Sequence, residues 1–157
     1  MSKIHDDVLG ELTEDKQDKD AFVGSISHAG TQISLRVEAD GYPFPACLNL
    51  ARAAVSSLRV VEERAKEAAV KELLDVYNES WREYIQADGE GGWIEVSNSK
   101  IDAAEFKSKI TLQSVLIMGE ELCTLFINDD GMFDGHCIGA TSFNGVELSD
   151  FRATLFG

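Results

Sequence analysis

The segment NDDGMFDGHCIG, from Asn128 to Gly139, concentrates side chains that could do chemistry. Within ten residues it holds three aspartates, one histidine and one cysteine, which are Asp129, Asp130, Asp134, His136 and Cys137. Carboxylate, imidazole and thiol groups are the ligands of metal ions and the acids, bases and nucleophiles of hydrolases. The alternative is a polar turn between two strands, in which the same side chains hold the backbone.

The spacing excludes an EF-hand calcium loop. If Gly135 takes the sixth position of such a loop, Asp130 and Asp134 occupy positions one and five. Met132 then falls at position three and Thr141 at position twelve, where the loop requires an oxygen ligand and a bidentate Glu. This spacing leaves open a cation that is held loosely at the protein surface.

His136 and Cys137 do not form a transition-metal pair, because adjacent residues of a strand point to opposite faces of the sheet. His28 could join His136 only if their strands were neighbours, and the sequence does not determine the strand order. We therefore favour a structural histidine. Its ring would pack beside Trp or Phe, and one of its nitrogens would bond a backbone carbonyl in the turn.

Recognisable catalytic motifs are absent from the sequence. No G-x-S-x-G occurs, the CIG after His136 matches no cysteine-protease pattern, and GEGGW lacks the Lys of a phosphate-binding loop. Paired carboxylates, as in EDKQDKD, are typical of solvated turns in an acidic protein and support no glycosidase. The sequence thus predicts no catalytic residue, no metal ligand and no cofactor.

The composition indicates a soluble globular protein with an acidic surface. Hydrophobic residues make up 44% and charged residues 27%, and the net charge is -14 with a pI of ≈ 4.5. A strongly anionic domain is repelled by nucleic acids and by anionic membranes, whereas it attracts basic proteins. We expect a basic protein partner, no nucleic acid and no membrane association. The oligomeric state remains open at this stage.

The N-terminus and the cysteines predict a cytoplasmic protein. The stretch MSKIHDDVLGELTEDK is acidic and lacks the apolar region of a signal peptide. Cys47, Cys123 and Cys137 are odd in number and lack C-x-x-C spacing, so they form neither a disulfide framework nor a zinc site. Because their neighbours are apolar, we expect all three to be reduced and buried.

Period-two alternation predicts the strands that position these residues. Ile33, Leu35 and Val37 alternate with polar residues, and a weaker alternation runs from Phe22 to Ile26. The HAG at 28–30 joins the two runs as an antiparallel hairpin. Before it, an acidic segment of about residues 1–20 contains one candidate strand, VLGELTED.

The C-terminal part is expected to form a four-strand antiparallel meander. Its runs are TLQSVLIM, ELCTLFI, GHCIGATSF and GVELSDFRATLF, and Asn144-Gly145 is expected to join the last two as a tight hairpin. Before the meander, SKIDAAEFKSKI resembles a short helix with Asp102 as N-cap and Glu105 three residues later.

Two apolar stripes at three- and four-residue spacing predict the central helices. One stripe runs from Cys47 to Val61, and the other runs from Ala65 through Trp81 to Tyr84. One bent helix and two abutting helices both fit the pattern. We favour two helices that meet near residues 60–67, because a helix of ~40 residues would extend ~60 Å. The predicted fold is a single α+β domain, 1–157, with helices on one face of a mainly antiparallel sheet.

The tail LFINDDGMFDGHCIGATSFNGVELSDFRATLFG resembles the C-terminal pattern of the bacterial domain-of-unknown-function family 2262. DDVLGEL, FVGSISHAGTQISL and ELLDVYNESWREY resemble the same family in the same order. In this chain, Asp134 stands where a large aromatic residue is expected, and Cys137 stands where a small polar one is more usual. The resemblance implies a small bacterial protein without an assigned reaction. Similar domains near polymorphic toxin systems imply an immunity or accessory role.

These observations lead to two hypotheses. The first is a non-enzymatic binding protein that engages a basic partner through an acidic surface and the rim around Asp129 and Asp130. The second is a hydrolase or metal-dependent enzyme centred on His136, Asp130 and Asp134. The candidate functional or family-signature residues are Asp129, Asp130, Gly131, Gly135, His136, Asn78 and Trp81. For Trp81 we expect a core anchor, and for Asn78 a side-chain amide that ties the helix to a loop backbone.

Overall fold

The computed structural model describes residues 2–157 and confirms an α+β fold with a mainly antiparallel sheet. The strands are β1 (Lys3–Asp6), β2 (Gly10–Glu14), β3 (Ala21–His28), β4 (Thr31–Glu38), β5 (Glu83–Ala87), β6 (Trp93–Ser97), β7 (Thr111–Met118), β8 (Leu122–Asn128), β9 (Cys137–Ser142) and β10 (Phe151–Phe156). The α-helices are α1 (Phe44–Ser56), α2 (Leu58–Val76) and α3 (Ala103–Lys109). A π-helical turn, Tyr77–Trp81, follows α2 directly.

Eight strands form the main sheet in the order β1-β2-β3-β4-β7-β8-β9-β10. Every neighbouring pair is antiparallel except β4 and β7, which pair in parallel with Leu35 opposite Val115. A parallel pair requires a long crossover connection, and the chain from 39 to 110 supplies it. This crossover carries the three α-helices and a separate two-stranded sheet of β5 and β6.

The predicted N-terminal hairpin is confirmed as β3 and β4. Its two turn residues, Ala29 and Gly30, have φ values of 51° and 79°, the left-handed pair that a two-residue hairpin requires. In β4, Ile33, Leu35 and Val37 are buried, as the alternation predicts. The candidate strand VLGELTED is confirmed as β2, and a further short strand, β1, precedes it and extends the sheet.

The four-strand meander is confirmed as β7 to β10, but the turn expected at Asn144-Gly145 is wrong. The Asn144 side chain accepts from the Ser142 hydroxyl at 2.7 Å and donates to the Ser149 hydroxyl at 2.9 Å. These bonds support a longer connection containing a short 3-10 helix, so β10 begins only at Phe151. The Asn144 side chain therefore stabilises this longer connection in place of a two-residue hairpin turn.

The central region forms two helices, as predicted, although the break lies earlier than residues 60–67. Ser57 separates α1 from α2 with φ of -117° and ψ of 28°, outside helical values. Pro45 stands in the first turn of α1, where its missing N–H leaves no hydrogen bond unmade. No helix within residues 2–157 has the length and apolar character needed to span a bilayer.

Both long helices lie against the face of the sheet that carries the buried side chains, and they share one hydrophobic core with it. Arg52 of α1 bonds Asp6 of β1 with 2.7 Å between Nε and Oδ2. Glu72 of α2 meets Arg152 of β10 at 2.6 Å and also accepts from the Ala153 N–H. This last bond satisfies an outward donor on an edge strand, where unpaired N–H groups would otherwise be exposed.

The two-stranded sheet of β5 and β6 is absent from the predicted fold. Tyr84, expected to continue the second helical stripe, instead lies in β5 and is half exposed. The turn between the strands is fastened by Asp88, whose Oδ1 accepts from the N–H groups of Glu90 and Gly92. Those two N–H groups lower the pKa of the Asp88 carboxyl. The five-residue connection from Asp88 to Gly92 contains three glycines and separates two runs with apolar residues, which is the sequence feature that favours a hairpin here.

Candidate functional site

The loop between β8 and β9 contains the chemically suggestive residues, and glycines make its shape possible. Asp130 and Gly131 have φ values of 53° and 78°, and Asp134 and Gly135 repeat this with 50° and 84°. Left-handed backbone is accessible to Gly and tolerated by Asp, whereas most side chains resist it. The two Asp-Gly pairs therefore make the loop fold back on itself twice before β9 begins.

Asp129 is a buried residue that holds this loop together. Its side chain accepts from the N–H of Gly131 at 3.1 Å and from the N–H of Phe133 at 2.7 Å, with one carboxylate oxygen for each. Only 5% of the residue is exposed. The expectation that Asp129 and Asp130 form an exposed rim together is therefore wrong for Asp129, because its carboxylate turns inward to satisfy loop donors. Asp130 is exposed.

His136 has the structural environment predicted for it. Its Nδ1 lies 2.7 Å from the carbonyl oxygen of Phe133, and its ring meets Trp81 edge-on with 5.5 Å between ring centroids. A nitrogen beside a carbonyl oxygen must carry a proton, so Nδ1 is the donor of this hydrogen bond. The imidazole thus closes the turn from Phe133 to His136.

Replacing His136 with alanine is expected to lower the free energy of unfolding by about 1–2 kcal/mol. The change removes the hydrogen bond to Phe133 and the contact with Trp81. Chemical denaturation of both proteins measures the difference. His5→Ala is the matched control, because 76% of the His5 side chain is exposed, and its effect should stay within about 0.5 kcal/mol. Equal stability losses for the two variants would contradict the structural role of His136.

Phe133 stands at the centre of an aromatic cluster beneath the loop. It is fully buried and meets Tyr77, Trp81 and Phe106 edge-on, at centroid distances of 5.9, 5.7 and 6.3 Å. Met132 beside it is also buried, so both residues pack inward. Trp81 is half-buried and forms the core anchor expected of it, because it packs on Phe133 and on His136.

Asn78 ties the π-helical turn to the chain before α3, as predicted. Its amide donates to the Ile101 carbonyl at 2.9 Å and accepts from the Ile101 N–H at 3.0 Å, so one side chain pairs with both backbone groups. Arg82 adds bonds to the carbonyls of Asn78 and Asn98 at 2.9 and 3.1 Å. A π-helical turn widens the helix locally and is common at functional sites.

A polar cleft of about 370 Å³ lies between this turn, the segment 98–101, α3 and the loop at Asp130. Its aromatic and charged lining consists of Tyr77, Trp81, Tyr84, Lys100, Glu105, Lys109 and Asp130. Burial raises the pKa of the Tyr77 hydroxyl, which therefore stays protonated at neutral pH. The cleft contains both cations and carboxylates, so its charge alone selects neither an anionic nor a cationic ligand.

The structure brings together some of the candidate residues and separates others. Trp81, Asp130 and Gly131 line the cleft. His136 is not part of the cleft lining, although its ring packs against Trp81. The sequence interpretation missed the contribution of Lys100, Glu105 and Lys109, which no periodic pattern connects with the loop. Within residues 2–157, no three His, Cys, Asp or Glu side chains converge as a metal-binding group.

The cysteines are free thiols, as predicted, but they are not all buried. Cys47 and Cys123 are buried, whereas Cys137 is half-buried. Cys137 begins β9 and faces away from the core, since alternation directs its neighbour Ile138 inward. Burial raises the pKa of the Cys123 thiol to about 12, which makes this group an unreactive core residue.

Comparison with known proteins identifies one family. A protein-family model matches residues 6–148, and its description is "uncharacterized protein conserved in bacteria (DUF2262)". This match covers most of the chain and confirms the resemblance drawn from the loop, the N-terminal hairpin and the helical segment. Searches of curated proteins and of solved structures found no significant match.

Proposed function

We propose that this chain, which belongs to the DUF2262 family, is a non-enzymatic domain that binds a basic protein, in an immunity-like or accessory role. One observation carries the proposal. Two reactive groups of the Asn128–Gly139 segment, the Asp129 carboxylate and the His136 Nδ1, are engaged in holding its own backbone. A catalytic group must instead be directed at a substrate within a cavity.

The charge of the domain supports a basic partner. The chain has 28 acidic and 14 basic residues. Several of the basic side chains already pair with carboxylates; Arg36, for example, contacts Asp15, Asp18 and Glu38. Pairing cancels the local field of these cations, and the unpaired carboxylates keep a negative potential that speeds encounter with a basic protein.

Affinity capture tests the proposed function. The tagged full chain is incubated with lysate of its source bacterium at low salt, and bound proteins are identified by mass spectrometry. We expect a basic protein that is recovered in stoichiometric amount and is released when the salt is raised to about 0.5 M, because salt screens charge attraction. Recovery of no stable partner would contradict the proposal. A bound metal ion in the purified protein would then favour the enzyme centred on His136, Asp130 and Asp134.

A further inference from the structure

The hairpin formed by β5 and β6, residues Glu83–Ser97, is the least buried part of the fold. All five residues of β5 are exposed, as are four of the five in β6. No residue of the hairpin belongs to the hydrophobic core or packs against it. Its pairing is nevertheless regular over five residue pairs, and Asp88 fastens its turn. The hairpin is therefore an ordered arm outside the core.

Large apolar side chains lie on this arm in contact with solvent. Trp93 is 75% exposed and Ile85 is 64% exposed, and Tyr84 and Ile94 are about half exposed. Exposed apolar area of this kind is unfavourable in water and is typical of a surface that binds another protein. An isolated two-stranded sheet is also only marginally stable until a further strand or another packed surface covers it.

The arm has one sign of charge. From Glu83 to Ser97 the sequence has four carboxylates and no Lys or Arg. Residues directly opposite in an antiparallel pair share a face of the sheet. The pairings Ile85 with Glu95 and Ala87 with Trp93 therefore place Ile85, Trp93, Glu83 and Glu95 on the same face. This face presents apolar area with carboxylates beside it.

A second copy of the chain is a poor occupant of this face. Two identical arms in contact would bring the carboxylates of each copy close to those of the other, and like charges at an interface cost binding energy. Glu83 already contacts Arg82 at 3.2 Å, whereas Glu95 has no cation beside it among the residues that the structure describes. A partner with Lys or Arg beside its apolar side chains would bury the same apolar area and would pair with Glu95. Charge complementarity thus decides between these occupants.

We infer that the face of the Glu83–Ser97 arm with Ile85 and Trp93 is the docking surface for an extended segment of a partner protein that combines apolar and basic side chains. This inference rests on the proposed function and adds the location and the chemistry of the contact. The outer edges of β5 and β6 pair with no other strand within residues 2–157, so the partner segment can also add to the sheet through backbone hydrogen bonds.

A peptide titration followed by NMR tests the docking surface. The probe is a capped peptide of about ten residues in which lysine and valine alternate, and a peptide with glutamate in place of lysine is its counterpart. We expect the lysine peptide to shift the backbone amide signals of Glu83–Ser97 in a saturable way, and the glutamate peptide to leave them unchanged. Equal binding of both peptides, or no binding of the lysine peptide, would overturn the docking surface.

Two double variants locate the contact. Ile85→Ser with Trp93→Ser is expected to weaken peptide binding by about tenfold or more. The thermal melting curve should remain unchanged, because neither residue contacts the core. Phe143→Ser with Val146→Ser is the matched control, since these exposed apolar residues lie beside Glu120, Glu121 and Glu147 on a different surface. A larger loss of peptide affinity in the control than in the arm variant would place the contact on the surface of Phe143 and Val146 and would overturn the inference.

The affinity capture separates failure of this inference from failure of the proposed function. If the wild-type chain captures a basic protein and the Ile85→Ser, Trp93→Ser variant captures it equally well, the arm is not the docking surface and the proposed function stands. If the wild-type chain captures none, the proposed function fails. A dimer of the chain that is lost in the arm variant would identify a second copy as the occupant and would also overturn the inference.

Discussion

Phe133→Ala is expected to lower the free energy of unfolding by about 3–5 kcal/mol, the range found when a buried Phe is truncated in a core. Phe133 has no exposed area and contacts Tyr77, Trp81 and Phe106 edge-on. Truncation removes three aromatic contacts and leaves a cavity under the loop, beside the π-helical turn and α3. For a domain of this size the melting temperature should fall by about 6–20 °C.

Phe143→Ala provides the matched control, because it is the same substitution at a phenylalanine that is 57% exposed. Its effect on stability should stay within about 0.5 kcal/mol. Urea denaturation followed by circular dichroism measures both variants. A loss of stability below about 1 kcal/mol for Phe133→Ala would mean that the aromatic cluster contributes little to the core. It would also contradict the role of Phe133 in stabilising the loop.

Asp129→Asn is expected to lower the free energy of unfolding by about 2–3 kcal/mol, because a charged acceptor for two backbone donors is lost. The asparagine amide keeps one oxygen acceptor, and its NH₂ group then faces a backbone N–H of Gly131 or Phe133. Hydrogen exchange of these two amides should therefore be faster in the variant, since the loop opens more often. Denaturation and exchange measurements together test the prediction.

Asp130→Asn is the control for this substitution. Asp130 is exposed and its backbone is left-handed, a conformation that Asn also tolerates, so stability should be nearly unchanged. The pair of variants also bears on function. If Asp129→Asn leaves stability unaltered but abolishes capture of a partner or a catalytic activity, then the carboxylate acts on another molecule, and its structural assignment is wrong.

Local pattern predicted most of the strands and helices correctly. The alternation of Ile33, Leu35 and Val37 identified β4, and the four apolar runs of the C-terminal part identified the meander. Asp102 caps α3 as expected and accepts from the Glu105 N–H at 2.8 Å. These features depend on residues close together in the chain, where periodicity and capping determine the backbone.

Features that depend on distant residues were not predicted. The parallel pairing of β4 with β7 joins strands more than 70 residues apart, and no local pattern indicates which strands will be neighbours. The helical stripe is predicted to extend to Tyr84, which lies at the start of β5, and no strand is predicted for β5 or β6. The connection at Asn144 was assigned to a tight hairpin, although its side chain bonds residues on both sides.

The sequence alone determined the fold class, the family and the character of the Asn128–Gly139 segment as a turn. Calcium spacing fails at two positions, so the exclusion of an EF-hand needed no coordinates. The alternation argument for His136 and Cys137 does not apply, because β9 begins at Cys137 and His136 lies in the turn before it. Only the tertiary structure decided which carboxylate is buried and that an acidic, apolar arm lies outside the core. Burial and proximity depend on how distant elements pack, and Asp129 and Asp130 are neighbours in sequence with opposite environments.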